Sequence, residues 1–162
     1  MKSENLPRRL DPQQIELIGR SLLVSELLRD GIEVALPERD RGIDLIAYID
    51  LDDANSTFVA RPIQLKASTR PGFSIDAKYE RFPDLLLAHL WNVDRATELQ
   101  AFCMTYAEAH VVAKAMGWTE TRSFTEGGVY RASPPSARLM VLLEPHRMAP
   151  GRWRAKISAL SP

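Results

Sequence analysis

The chain has 162 residues, of which 45% are hydrophobic, and its 21 basic residues are balanced by 21 acidic ones. That length suits one domain with a real core; no apolar run approaches the roughly 20 residues that span a bilayer, and Met1-Lys2-Ser3-Glu4-Asn5-Leu6-Pro7 lacks the apolar stretch of a secretory signal, so no membrane partner and a cytoplasmic location are the default expectations. A single cysteine, Cys103, excludes an internal disulfide and a cysteine-rich zinc site.

Residues 1–10 read as a flexible arm, and 11–162 as one domain. Asp11-Pro12 supplies a capping side chain and a first-turn proline. Ile15, Leu17, Ile18, Leu22, Leu23, Val24, Leu27 and Leu28 then recur at helical spacing up to Asp30, and Gly31 stops the helix. A short strand is predicted over Ile32-Glu33-Val34-Ala35-Leu36, with a loop through Pro37 and Asp40 to Gly42.

From Gly42 to Ile49 the two-residue period of a strand puts Ile43, Leu45, Ala47 and Ile49 on a core face and Asp44, Ile46 and Tyr48 on the other. Asp50-Leu51-Asp52-Asp53-Ala54-Asn55-Ser56-Thr57 has hairpin-turn composition and carries a solvated acidic cluster. In the next strand, Phe58 to Ala67, the apolar set Ile63, Leu65 and Ala67 leaves Gln64 and Lys66 adjacent on the opposite face. An antiparallel pairing of the two strands brings Asp44 beside Gln64 and Lys66.

Ser68-Thr69-Arg70-Pro71-Gly72 breaks the chain, Phe73-Ser74-Ile75 resumes it briefly, and Lys78, Tyr79 and Arg81 follow close to the predicted site. Leu85 to Trp91 is almost continuously apolar and reads as a buried central strand. Leu99 to Thr105 is its antiparallel neighbour across Asn92-Val93-Asp94-Arg95, with Cys103 buried in it. A helix from Tyr106 to Met116 closes at Gly117, Gly127-Gly128 is a turn, Val129-Tyr130-Arg131 a short strand, and Ser136 caps a helix reaching Glu144. His89, His110 and His146 fall on three elements, which argues against a histidine metal cluster, and glycine-rich phosphate loops are absent. From Arg131 onward, Arg131, Arg138, Arg147, Arg152, Arg154 and Lys156 stand against Glu144 alone. This basic segment is a candidate for tracking a phosphate backbone, while Trp153 is expected to dock the chain end onto the core.

A hard divalent cation such as Mg2+ takes oxygen ligands, typically one or two protein carboxylates, and fills its other positions with water and substrate phosphate. Asp44 offers a carboxylate and Gln64 a carbonyl oxygen, and Lys66 is placed to hold an attacking water or offset charge developing on phosphate. From about Gln13 to Ser68, the series of helix, glycine, short strand, proline-containing loop, Gly42-Ile43-Asp44-Leu45 and Gln64-Leu65-Lys66-Ala67-Ser68 resembles the PD-(D/E)xK nuclease superfamily. The likeness is to its small stand-alone branch, which includes archaeal Holliday-junction resolvases and restriction-endonuclease-like domains.

The resemblance implies an α/β restriction-endonuclease-like domain with a mixed central sheet flanked by helices, built from a helix, a three-strand meander, a further helix and a fourth strand. It also implies Mg2+- or Mn2+-dependent hydrolysis of DNA, with Asp44 and Gln64 as metal ligands and Lys66 as the water-activating residue. The family often adds a glutamate from the first helix; Glu16 is preferred to Glu26, since it shares a face with Gly19, Leu23 and Leu27 while Glu26 lies near the helix end. Ser68, Lys78, Arg152 and Arg154 are candidate substrate contacts, and a homodimer is expected because resolvase relatives act as dimers. Gln64 replaces the motif's second acid, which removes one negative charge and weakens cation binding. Two other readings stay open: an inactive nuclease-fold module that binds protein or nucleic acid, and an immunity- or antitoxin-type partner protein.

Overall fold

A reciprocal cap starts the first helix: Asp11 accepts a hydrogen bond from the Gln14 amide nitrogen (2.9 Å), and the Gln14 side chain accepts one from the Asp11 amide (3.0 Å). The computed structural model describes residues 9–39, 41–49 and 58–159. Most of the expected arm, Asp40 of the predicted loop, and the acidic turn with Asp50, Asp52 and Asp53 lie outside the described residues.

The helix so capped, α1 (Pro12–Arg29), is followed by β1 (Glu33–Ala35), β2 (Leu45–Tyr48), β3 (Ala60–Ser68) and β4 (Phe73–Asp76). Then come β5 (Leu86–Trp91), β6 (Gln100–Thr105), α2 (Tyr106–Ala115), α3 (Arg122–Gly127) and β7 (Val129–Ala132). The chain closes with α4 (Ala137–Leu143), β8 (Arg147–Met148) and α5 (Arg152–Ser158). Six strands form one mixed sheet in the order β1-β2-β3-β5-β6-β8, parallel only between β3 and β5, and β4 and β7 form a separate two-stranded sheet. The fold is thus a single α/β domain with a six-stranded mixed sheet flanked by helices.

Each face of the sheet has its own core. Leu23 and Leu27 of α1 and Trp153 and Ile157 of α5 pack with Leu45, Ala47, Ile63 and Leu65. On the other face Phe73 and Ile75 of β4, with residues of α2 and α4, cover Leu87, Trp91, Phe102 and Met104. Every residue of β5 is buried, as its nearly continuous apolar run predicts. Leu23 and Leu27 are fully buried, each stabilising by about 1.5–3 kcal/mol.

The strand expected from Gly42 is shorter than its apolar alternation suggests. Gly42 adopts φ +94°, pairing begins at Leu45, and Ile43 is exposed rather than part of the core face. The further helix implied between the third and fourth strands of the core is replaced by β4 and one 3-10 turn, Ala77–Tyr79. Asp76 caps that turn through the Lys78 amide (3.0 Å), and Pro83 disfavours helical geometry at Phe82 before a longer helix can form.

The last helix has a cap that no local pattern discloses. Asp30, at the end of α1, accepts from the amides of Gly151 (2.7 Å) and Trp153 (3.0 Å). Trp153 is fully buried, so the chain end docks on the core as its indole predicts.

Candidate active site

The site forms where β2 leaves β3. Leu45 pairs with Ile63, so β3 runs on from Gln64 to Ser68 with β5 on one side only. Continuing the β2–β3 register by one residue sets Asp44 opposite Gln64, and the Asp44 amide donates to the Ile63 carbonyl (2.9 Å). The Asp44 carboxylate then stands in for the missing strand: Oδ2 accepts from the Leu65 amide (2.5 Å) and from Gln64 Nε2 (2.7 Å). Charge-assisted bonds of this kind are about twice as strong as neutral ones, which fits a carboxylate only 7% exposed.

Gln64 Nε2 also faces the Leu65 carbonyl (3.4 Å). Both partners are acceptors, so the amide nitrogen must point at Asp44 and the oxygen is turned towards Gly42, where a Cβ would lie 3.8 Å from it. Lys66 Nζ donates to the Tyr79 hydroxyl (3.4 Å) and lies 5.5 Å from the centre of that ring. From α1, Glu16 reaches the same place. Glu16, Asp44, Gln64 and Lys66 all line one cleft of about 320 Å3. Glu26 is elsewhere, against the Trp153 indole nitrogen (3.4 Å) and Arg29 (3.8 Å).

Arg20, one helical turn beyond Glu16, carries no motif signal and was not among the sequence candidates. Its Nη2 pairs with Glu16 Oε1 (2.7 Å) and lies 3.9 Å from Asp44 Oδ1. Its Nε is buried without a hydrogen-bond partner among the described residues. The guanidinium therefore bridges the two carboxylates. Asp44 Oδ1 and Glu16 are the oxygen donors that could hold a magnesium ion of the sparse, water-rich kind. In this arrangement Gln64 donates to Asp44 through Nε2, and its Oε1 faces Gly42, which also lines the cleft. Among the described residues no three His, Cys, Asp or Glu side chains gather into a metal-holding group.

The remaining candidates are distributed unevenly. Ser68 lines an adjoining groove and donates its hydroxyl to the Arg70 carbonyl (2.6 Å). Lys78 is exposed, pairs with Asp76 (3.2 Å) and does not line the cleft. Arg152 and Arg154 are not in it either: Arg152 donates to the Pro145 carbonyl (3.3 Å) and Arg154 to the Gly31 carbonyl (3.1 Å). Of the basic segment, Arg131 alone joins the groove beside Lys66. Arg147 is spent on Glu144 (2.9 Å) and Lys156 on Glu108 (2.6 Å).

His89, paired in register with Lys66 across β3 and β5, is 2% exposed and lies 4.7 Å from the Phe73 ring centre. Burial, assisted by the Lys66 charge, holds its pKa down at about 3, so the imidazole is neutral at physiological pH. A larger cavity, about 630 Å3, opens beside the start of α2 and includes Arg61, Glu108 and Lys156. Burial opposes ionisation of Glu108, yet hydrogen bonds from Lys156 and from the Thr105 amide keep its pKa below the ordinary value. In that cavity Lys156 is paired with Glu108, and Arg61 with Asp84 (2.7 Å).

No protein-family model, no curated protein and no solved structure matches this chain. Among the described residues no helix is long and apolar enough to cross a membrane.

Proposed function

We propose that this protein is a metal-dependent DNA endonuclease of the PD-(D/E)xK type, in the variant with glutamine at the second acidic position. The observation that carries the reading is the convergence of Glu16, Asp44, Gln64 and Lys66 on one cleft from α1, from the approach to β2 and from β3. Asp44 and Glu16 would hold Mg2+ or Mn2+, which when bound lowers the pKa of water and polarises the phosphoryl oxygen. Gln64 orients Asp44 through its donated bond. Lys66, steadied by the Tyr79 hydroxyl, orients the attacking water and offsets negative charge developing on the phosphate. Arg20 must release Glu16 and Asp44 before a cation enters, and its positive charge is then available to substrate phosphate. Incubating DNA of several forms with the protein and Mn2+ tests this reading: cleavage is expected, and Asp44→Ala and Lys66→Ala should each lose at least about a hundredfold in rate. Equal cleavage by all three proteins would overturn it.

A second reading, a module of this fold that binds nucleic acid without cutting it, is favoured by one specific observation, the Arg20 bridge between the two carboxylates. DNA binding by the native protein with no cleavage in Mg2+ or Mn2+, and no Mn2+ uptake, would select it.

A further inference from the structure

The cleft opens into a groove of about 530 Å3 with which it shares Pro12, Lys66 and Ala67. Arg9, Lys66, Arg70 and Arg131 line that groove, contributed by the approach to α1, by β3, by the break after it and by β7. Among the described residues no acidic side chain lines it. Among the described residues Arg9, Arg70 and Arg131 have no carboxylate partner, whereas Arg20, Arg61, Arg95, Arg122 and Arg147 each hold one. Among the described residues these four cations give the groove a positive character that attracts and concentrates anions.

An independent observation points the same way. His89 lines the groove, is almost wholly buried, and its Nε2 has no hydrogen-bond partner among the described residues. Buried polar atoms are nearly always paired, and an orphan is explained by a ligand or an ordered water. Among the described residues the phenyl ring lining the groove, Phe73, is 2% exposed and offers no face for a base. Its chemistry therefore suits phosphates, whose contacts position a strand without reading its sequence, and not base edges.

We infer that this groove seats a backbone phosphate of a nucleic-acid strand next to the one at the cleft, gripped by Arg9, Arg70 and Arg131 with Lys66 shared between the two positions. The identity of the ligand as a strand rests on the nuclease reading above, through the continuity of groove and cleft. The charge pattern alone would also take a free phosphate or pyrophosphate. Arg131 belongs to the β4–β7 sheet, outside the four-strand core that carries the catalytic resemblance.

The test uses the full chain carrying Asp44→Ala, with EDTA, and labelled single-stranded and duplex oligonucleotides followed by fluorescence anisotropy over a range of salt. Adding Arg70→Ala with Arg131→Ala should weaken binding about tenfold or more and lower the slope of log affinity against log salt by about 0.7–0.9, the worth of the one phosphate contact they share. Adding His89→Gln should weaken binding while leaving the salt slope unchanged, because the imidazole is uncharged. Lys114→Ala, on the exposed face of α2, should change neither. Affinity and slope unaltered by the double arginine substitution would overturn the inference. So would binding of pyrophosphate with the same arginine dependence and none of oligonucleotides. Arginine-dependent strand binding by a protein that never cuts DNA would uphold the groove and sink the nuclease reading, while cleavage with arginine-independent binding would do the reverse.

Discussion

Gly19 of α1 lies directly against Ala67 of β3, so that a methyl group added to Gly19 would collide with the Ala67 side chain. This contact sets the height of α1 above the sheet, and Glu16, one turn earlier, overhangs the cleft because of it. Gly19→Ala should destabilise the protein by about 1–3 kcal/mol through overpacking, even though alanine is the better helix former by about 1 kcal/mol. Urea unfolding measures the loss. The double variant with Ala67→Gly should recover most of it, and a Gly19→Ala protein as stable as the original would show that the helix is not seated there.

Arg20 bridges the carboxylates of Glu16 and Asp44. Arg20→Ala is expected to tighten Mn2+ binding, by about tenfold if the competition removed is worth about 1.4 kcal/mol. Titration followed by the paramagnetic signal of free Mn2+ reads this directly. Unchanged or weaker binding would mean that the guanidinium does not compete for the site.

Gln64 donates to a carboxylate already bonded to the Leu65 amide. Gln64→Glu exchanges that donor for a second negative charge, which without metal should lower stability by about 1–3 kcal/mol as a hydrogen bond is lost and like charges face each other. Added Mn2+ should restore more stability to this variant than to the native protein, since the site gains a ligand charge. Thermal unfolding with and without Mn2+ gives both numbers, and a variant indifferent to the ion would refute a cation site at Asp44.

His89 is held neutral by burial, with a pKa of about 3 against its ordinary 6.5. The unfolded chain takes up a proton on this imidazole near pH 6.5 while the native protein does not, so native stability falls as the pH drops below 6.5, by about 1.4 kcal/mol per unit, until the pH nears 3. Above 6.5 both states are neutral at this position and it contributes no pH dependence. Urea titrations at neutral and mildly acidic pH should show a shallower loss for His89→Gln than for the native protein; equal slopes would place the imidazole in a wetter setting than its burial indicates.

Several elements follow from local pattern alone. The helical spacing of Leu23 and Leu27, the Asp11 cap and the stop at Gly31 mark out α1, because each acts within a few residues of the backbone it governs. The nearly continuous apolar run of β5 announces a strand buried on both faces. Asp44, Gln64 and Lys66 were legible as one group because strand period and hairpin order place them within a few residues of a common register. Ile43 misled for the complementary reason: alternation says which side a residue takes within a strand, and not where the strand begins.

What tertiary structure alone decided involves partners far apart in the chain. Asp30 caps a helix more than a hundred residues later, and Arg20 becomes a bridge only when α1 is laid across the fork between β2 and β3. Of the charges clustered near the C-terminus, most are taken up by carbonyls or carboxylates, while Arg131 is carried by the β4–β7 pairing to the groove beside Lys66. Sequence pattern encodes each element's own periodicity, whereas the charge a side chain finally meets depends on how separate elements are packed, and that packing is settled by the two cores rather than by neighbours along the backbone.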